Sequence, residues 1–360
     1  MRPFIQNTFS MKLRLASLIL SAILLTACGG QKPVTINTIR PADIGVNPEI
    51  NTILIVDRTK PSKENKWLNI GEGILTGEGI EGDKAAAQAV VNSLKNQLQI
   101  SPRYQVLVAS ERLEGNSFTA AFPDPINWST QQNLLNRYQA DALVAVEIVD
   151  SDFIITQGTR KVKRTVGTGD NQRTVVVDEW HAEGVGNIKI GLRMYDPANS
   201  EIIDQQLLDE TNTWQAVADS KAGALAALIN RNAATRELAN RVGHEYAYKI
   251  APMPVQLRRV FYTKSKDYPA LEQGARLAEV NDWQAAISVW EKAIPGAEEK
   301  EAGRMTYNIA VAHEVLGNLK EAEKWAQQAY AQYGNKTARS YAMQIQRRIM
   351  QSQVLENQMK

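Results

Sequence analysis

The chain has 360 residues with 44% hydrophobic and 22% charged side chains, a formal net charge of +2 and a single cysteine. That length suits two folded domains and that composition a globular protein, so neither a disordered chain nor a disulfide-stapled miniprotein fits. The near-neutral balance excludes a nucleic-acid footprint, because removing the N-terminal Arg2, Lys12 and Arg14 leaves the remainder near −1.

Lys12 and Arg14 precede an apolar run from Leu15 to Leu25, and Leu25-Thr26-Ala27-Cys28 closes it with small residues and the only thiol. Basic, apolar and small-residue parts in that order make a secretory leader. The run is shorter than the roughly 20 residues a membrane-spanning helix needs. Residues 25–28 resemble the lipobox of bacterial lipoproteins. The resemblance implies acylation of Cys28 with diacylglycerol and a further chain of the palmitate class, after removal of residues 1–27. Either Met1 or Met11 serves as the start.

Residues 28–48 carry Pro33, Pro41 and Pro48 without an apolar period and are expected to form a flexible tether of roughly 25 Å reach. Ile50–Val56 is predicted as a buried strand, and Asp83 as the cap of a helix running to about Leu98. Tyr104–Ala109 follows as a strand, Ser129–Tyr138 as a helix with Leu134 and Leu135 inward, and Ala142–Thr156 as a central strand. This β-α-β-α-β order argues for helices packed on a sheet. Val162–Val166 and Thr174–Trp180 flank the turn-rich 167–171 and read as a hairpin made basic by Arg160, Lys161, Lys163, Arg164 and Arg173. Asn187–Tyr195 and Ile202–Leu208 form a second hairpin across Asp196-Pro197. Residues 219–250 are helical with a break near Asn230, and Val255–Tyr262 is expected to close the sheet. Residues 49–262 thus make one mixed α/β domain of α+β class with antiparallel hairpins.

The C-terminal part repeats. Gly274, Asn281-Asp282-Trp283, Ala286, Trp290 and Ala293 are echoed 36 residues later by Ala310, Gly317-Asn318-Leu319, Ala322, Ala326 and Ala329. The spacing resembles tetratricopeptide repeats, all-α helical hairpins with a 34-residue unit. Their usual early Trp is Ala270 in one copy and Thr306 in the other. A helix from Lys336 to Met350, with Ala338, Tyr341, Ile345 and Ile349 on one face, is expected to cap the stack over 263–350, leaving 351–360 as a tail. The resemblance places Arg304, Tyr307, Val311 and Glu314 on the helix that lines a partner-binding groove.

Chemistry-bearing motifs are sparse. Gly77-Glu78-Gly79-Ile80-Glu81-Gly82 matches G-x-G-x-x-G, but some 20 residues separate it from its strand, and its acids repel a pyrophosphate. Its carboxylates do not follow the twelve-residue calcium loop. His181, His244 and His313 have no ligand-like neighbours at i+3 or i+4, so no metal site is expected. Glu147 sits inside a central strand, where alternation places it on an exposed face. No nucleophile motif and no carboxylate pair with a supporting histidine is present, so neither an enzyme nor a cofactor is expected.

Ile53–Arg58, Gly71–Lys84, Phe122–Trp128, Ala145-Val146-Glu147 and Val255–Tyr262 together resemble a family of Bacteroidetes lipoproteins in which a domain of unknown function precedes tetratricopeptide repeats. The order of strands and helices, with the hairpin at Asp196-Pro197, also resembles the periplasmic domain of curli-secretion lipoproteins and penicillin-binding-protein activators. These resemblances imply a scaffold anchored by lipid in the outer membrane and facing the periplasm, where it binds envelope proteins. Surface-exposed lipoproteins of that group carry acids after the cysteine, whereas this chain has Gly29-Gly30-Gln31-Lys32. Two alternatives stand: an oligomeric secretion or envelope-assembly component built through the hairpins, and a ligand-binding or hydrolytic α/β domain with a polar pocket near Glu147 and Gly77–Gly82.

Overall fold

The computed structural model describes residues 30–59, 74–76, 80–115 and 121–360. The leader, Cys28 and residues 71–73 and 77–79 of the glycine-rich loop lie outside the described residues. Among those described, no helix is long and apolar enough to cross a membrane. The chain divides into two compact units. One comprises residues 41–253 and 355–360; the other comprises residues up to Arg40 and 254–354, so the chain passes between them three times.

The first unit is a mixed α/β domain. β2 (Thr52–Asp57), β4 (Gln105–Val108) and the start of β5 (Ala142–Val166) run parallel, with β2 in the middle. β3 (Ile74–Thr76) pairs antiparallel with β5 at residues 154–156. β6 (Arg173–Asp196) and β7 (Glu201–Ala218) continue the sheet antiparallel in the order β4-β2-β5-β6-β7. Side chains alternate along a strand, so each strand serves two cores. Ile53, Ile55, Val144 and Val146 pack with α1 (Ile80–Leu98) and α4 (Arg231–Ile250), through Val90, Leu94, Val242 and Tyr246. Leu54, Val56, Leu143 and Ala145 face the opposite core with Leu134 and Leu135 of α2 (Trp128–Tyr138). Coverage on both faces explains the unbroken apolar run of β2. Each buried Leu or Ile contributes roughly 1.5–3 kcal/mol of transfer free energy.

Both predicted hairpins are present and share β6, which pairs with β5 on one side and β7 on the other; the first is longer than expected, an antiparallel arm in which β5 and β6 are 25 and 24 residues long and stay paired on both sides of the bulge at Glu147. Its basic end is partly neutralised, since Glu179 accepts from Arg160 at 2.7 Å and from Arg164 at 2.8 Å. The helix holding Asp83 begins at Ile80, so Asp83 lies inside it and not at the cap. The break near Asn230 does separate α3 (Lys221–Ala227) from α4, and the Asn230 side chain accepts from Ala233 N–H.

The second unit contains β1 (Gln31–Arg40) and β8 (Met253–Tyr262), paired as a two-stranded sheet, and five helices. The expected tether is therefore a strand from Gln31 onward, and the strand expected to close the first sheet pairs instead with the N-terminal segment. Polar exposed positions hide β1 from an apolar-period reading, yet Val34 packs on the helical core. The helices are α5 (Pro269–Glu279), α6 (Trp283–Ala293), α7 (Glu299–Val315), α8 (Leu319–Ala331) and α9 (Lys336–Gln358). The expected tail is helical through Gln358, whose side-chain amide bonds both the N–H of Ala42 (2.8 Å) and its C=O (3.1 Å).

The turns within the two helix pairs match. Asn281 and Gly317, 36 residues apart, both take the left-handed conformation (φ 67° and 81°) that asparagine and glycine tolerate. Gly274 is needed for packing, because a Cβ there would lie 2.2 Å from the indole nitrogen of the fully buried Trp290. The equivalent places hold Ala310 and Ala326, also fully buried. Gly274→Val is expected to destabilise the helical unit by about 1–3 kcal/mol through overpacking. In denaturant titrations its effect should shrink in the Trp290→Ala background, whereas strict additivity of the two substitutions would contradict the steric account.

Candidate functional site

The sequence-predicted groove residues lie on α7, and the structure covers three of the four. Tyr307, Val311 and Glu314 are buried, so they offer no surface to a partner; this corrects their assignment as groove-lining side chains. Their cover is the chain itself. Glu314 accepts two hydrogen bonds from Arg259 of β8 at 2.7 and 2.9 Å and further ones from Tyr341 and Arg348 of α9. Arg348 also reaches Thr38 of β1 at 3.2 Å. The rings of Tyr262, Tyr307 and Tyr341 meet in succession, edge-to-face at 5.5 Å and tilted at 5.2 Å between centroids.

Asn308, next to Tyr307 in the chain, was not anticipated from the sequence. Its amide accepts from Tyr262 N–H at 2.8 Å and donates to Tyr262 C=O at 2.7 Å, satisfying both backbone groups of an extended residue. Burial works against charge on Glu314, but the hydrogen bonds from Arg259, Tyr341 and Arg348 outweigh it and hold the carboxyl below its ordinary pKa.

Arg304 alone of the predicted set remains partly open. It lies over the Tyr262 ring at 5.2 Å and pairs with Glu301 at 2.9 Å. It borders an open depression of about 680 Å³ that Tyr262, Tyr333, Asn335, Lys336 and Thr337 also line.

A second polar cluster lies in the α/β unit. Glu147 is the extra residue of a β-bulge, since Val146 pairs with Leu192 and Ile148 with Gly191. Alternation sets Glu147 on the same face as Leu143 and Ala145, and that face, expected to be exposed, is covered, so its side chain is fully buried. It accepts from Tyr195 at 2.6 Å, from Arg193 at 2.9 Å and from Arg58 at 3.3 Å. Arg58 follows β2 directly, where neighbouring strand connections leave toward opposite faces of the sheet, the usual place for a ligand crevice in such sheets. Here the segment after β4 fills that place. Arg193 donates to Pro123 C=O (2.8 Å) and Arg58 to Asp124 C=O (2.7 Å), while Arg193 also lies 4.7 Å from the centroid of Phe122. Burial raises the Glu147 pKa, opposed without being cancelled by Tyr195 and the two arginines. Burial and the Glu147 hydrogen bond push Tyr195 up to about 12. Residues 77–79, the other side of the pocket expected near Glu147, lie outside the described residues. Among the described residues no cluster of His, Cys, Asp and Glu could hold a metal.

The two carboxylates respond oppositely to pH. Glu314, depressed when folded, contributes stability above the ordinary carboxylate pKa of about 4.3 that is lost as pH falls through its folded value. Glu147, raised when folded, contributes stability present below the ordinary value and lost as pH rises through its folded one. Glu314→Gln is expected to cost about 3–5 kcal/mol by leaving Arg259 and Arg348 without a counter-charge, and to remove the acid-side loss in the helical unit. Urea titrations between pH 3 and 7 test this; an unchanged midpoint at neutral pH would contradict it.

Family models for two domains of unknown function match the chain, DUF8603 over residues 50–262 and DUF6340 over residues 272–351. No curated protein matches. Among solved structures, the PelC dodecamer from Paraburkholderia phytofirmans is 10% identical, covering 61% of this chain and 98% of that one at a TM-score of 0.25. Hypothetical protein CT253 from Chlamydia trachomatis is 14% identical, covering 54% and 92% at 0.24. Protein XCC0632 from Xanthomonas campestris is 9% identical, covering 58% and 90% at 0.22. Likenesses at such TM-scores carry no argument about activity or assembly. The DUF8603 match spans more than half of the residues, from the edge of β2 to the end of β8, and the chain belongs to the family that this domain defines.

Proposed function

We propose that this chain is a non-enzymatic scaffold, anchored by acyl chains on Cys28 in the bacterial outer membrane and facing the periplasm, whose tetratricopeptide-like helical unit binds envelope proteins. The observation that carries the reading is the Asn308 clamp on Tyr262, backed by the Arg259–Glu314 pair. A helix face that satisfies both backbone groups of an extended residue has the chemistry for holding a strand. Here it is engaged by β8 of the same chain, so the partner's place is the adjoining depression at Arg304, Lys336 and Thr337. The turns repeating at 36 residues support the tetratricopeptide-like reading. The non-enzymatic reading is supported by the engagement of both oxygens of Glu147 and of Glu314 with arginine or tyrosine donors.

A photocrosslinker replacing Lys336 is expected to capture an envelope protein from native membranes, and the same group replacing Arg137 on α2 is not. Capture from Arg137 alone would move the function to the α/β unit. Cys28→Ser should release the protein from the membrane fraction.

A second reading, an oligomeric secretion or assembly component, is favoured by β7. This 18-residue strand ends the sheet, no described strand pairs its outer edge, and it contains no Pro, Gly or Lys to blunt that edge. Antiparallel self-pairing about its centre would set Asp209-Glu210 against its own copy, which disfavours a two-fold dimer and leaves head-to-tail assembly. Ring-sized particles in detergent that fall apart in Asp209→Lys/Glu210→Lys would support this reading; monomers before and after would exclude it.

A further inference from the structure

The described part of the chain begins close in sequence to the anchor. Gly30 C=O accepts from Thr263 N–H at 2.9 Å, and β1 starts at Gln31. Only Gly29 separates Cys28 from Gly30, and the two residue steps between them span at most about 7 Å. An acyl-bearing thioether lies at headgroup depth, so the end of the ribbon where β1 starts and β8 finishes has no room to stand off the surface.

That end carries uncommitted positive charge. Lys264 and Lys266 follow Thr263, are exposed, and neither has an ion-pair partner among the described residues. By contrast, Lys32 is paired with Glu279 at 2.8 Å. The carboxylates sharing the adjoining depression are Asp267, Glu272 and Glu301, of which Glu301 is engaged by Arg304. Cations held within a Debye length of an anionic leaflet are attracted to its phosphates, and the attraction falls with salt.

We propose that the Thr263–Lys266 end of the helical unit is seated on the membrane, with Lys264 and Lys266 against the phosphate headgroups of the leaflet that holds the anchor. This rests on acylation of Cys28. The seat fixes which side of the helical unit faces lipid, and it replaces a domain swinging on a 20-residue tether by one held at the surface.

The test uses the full chain, acylated in cells and reconstituted in vesicles of phosphatidylethanolamine and phosphatidylglycerol at 3:1. Acylation consumes the native thiol, so Asp267→Cys gives a unique site for a fluorophore, and headgroup spin-labelled lipid is the quencher. Quenching is expected to be at least twofold stronger than in the same protein with 20 Gly/Ser residues inserted between Gly29 and Gly30. Lys264→Glu/Lys266→Glu should lower it, and added salt should lower it in the parent but not in that variant. Equal quenching with and without the insert overturns the seat, as does capture of a protein and no lipid by a photocrosslinker at Lys264. Floating the vesicles separates this failure from failure of the anchor: protein that floats unquenched refutes the seat alone, and protein that does not float, without the mass increase of acylation, refutes the anchor.

Discussion

The carboxylate of Glu314 is the fixed point of the helical unit. Taking it out of water would be prohibitive alone, and it is tolerated because a bidentate arginine, a second arginine and a phenol surround it. Those donors come from β8 and α9, and through Arg348 the arrangement extends to Thr38 of β1. One buried charge thereby selects how three segments distant in sequence meet on α7. Apolar packing among Phe261, Trp283, Leu271 and Ile309 supplies the bulk of the stabilisation. Directionless packing cannot set the register of a two-stranded ribbon, whereas a charge with fixed donors can.

The α/β unit uses the same chemistry with a different balance. Glu147 has two arginines and a tyrosine, yet burial prevails and raises its pKa, whereas at Glu314 the hydrogen bonds prevail. At the bulge the carboxylate and the arginines hold the 122–126 segment by its carbonyls. That segment is held at two of its backbone acceptors, Pro123 C=O and Asp124 C=O, so its chain geometry is set there. Gly115 shows how closely the neighbouring chain passes: a Cβ would lie 2.7 Å from Arg58 C=O.

What was legible in the residues follows from range. Ile53–Val56 and Leu143–Val146 announced buried strands because both faces are covered, and Gly274 with Trp290 announced a close helix crossing. The breaks at Asn230 and Asn281 were visible because local turn chemistry dictates them. β1 was not visible: its sequence QKPVTINTIR alternates only around Val34 and Ile36, and its partner strand lies more than 200 residues away. Glu147 was misplaced because strand alternation does not say that the face it shares with Leu143 and Ala145 is covered, by Tyr195 and the arginines that hold the 122–126 segment. The residues predicted to line a groove do share one helix, α7, but repeat spacing contains no information about which segment of the same chain lies across it. Nothing in local spacing marked Asn308 either, since its role exists only once β8 is beside it.

Gln358 returns to Ala42 with the same two-point amide grip that Asn308 applies to Tyr262, and in doing so it carries the last residues back to the unit that begins at Pro41. The chain changes unit near residues 40, 253 and 354. A single proteolytic cut at any one of these crossings leaves the two units joined covalently through the other two, and no single terminal truncation yields either unit whole. Boundaries drawn along the sequence, such as those at 262 and 272, therefore divide β8 from the helices it completes.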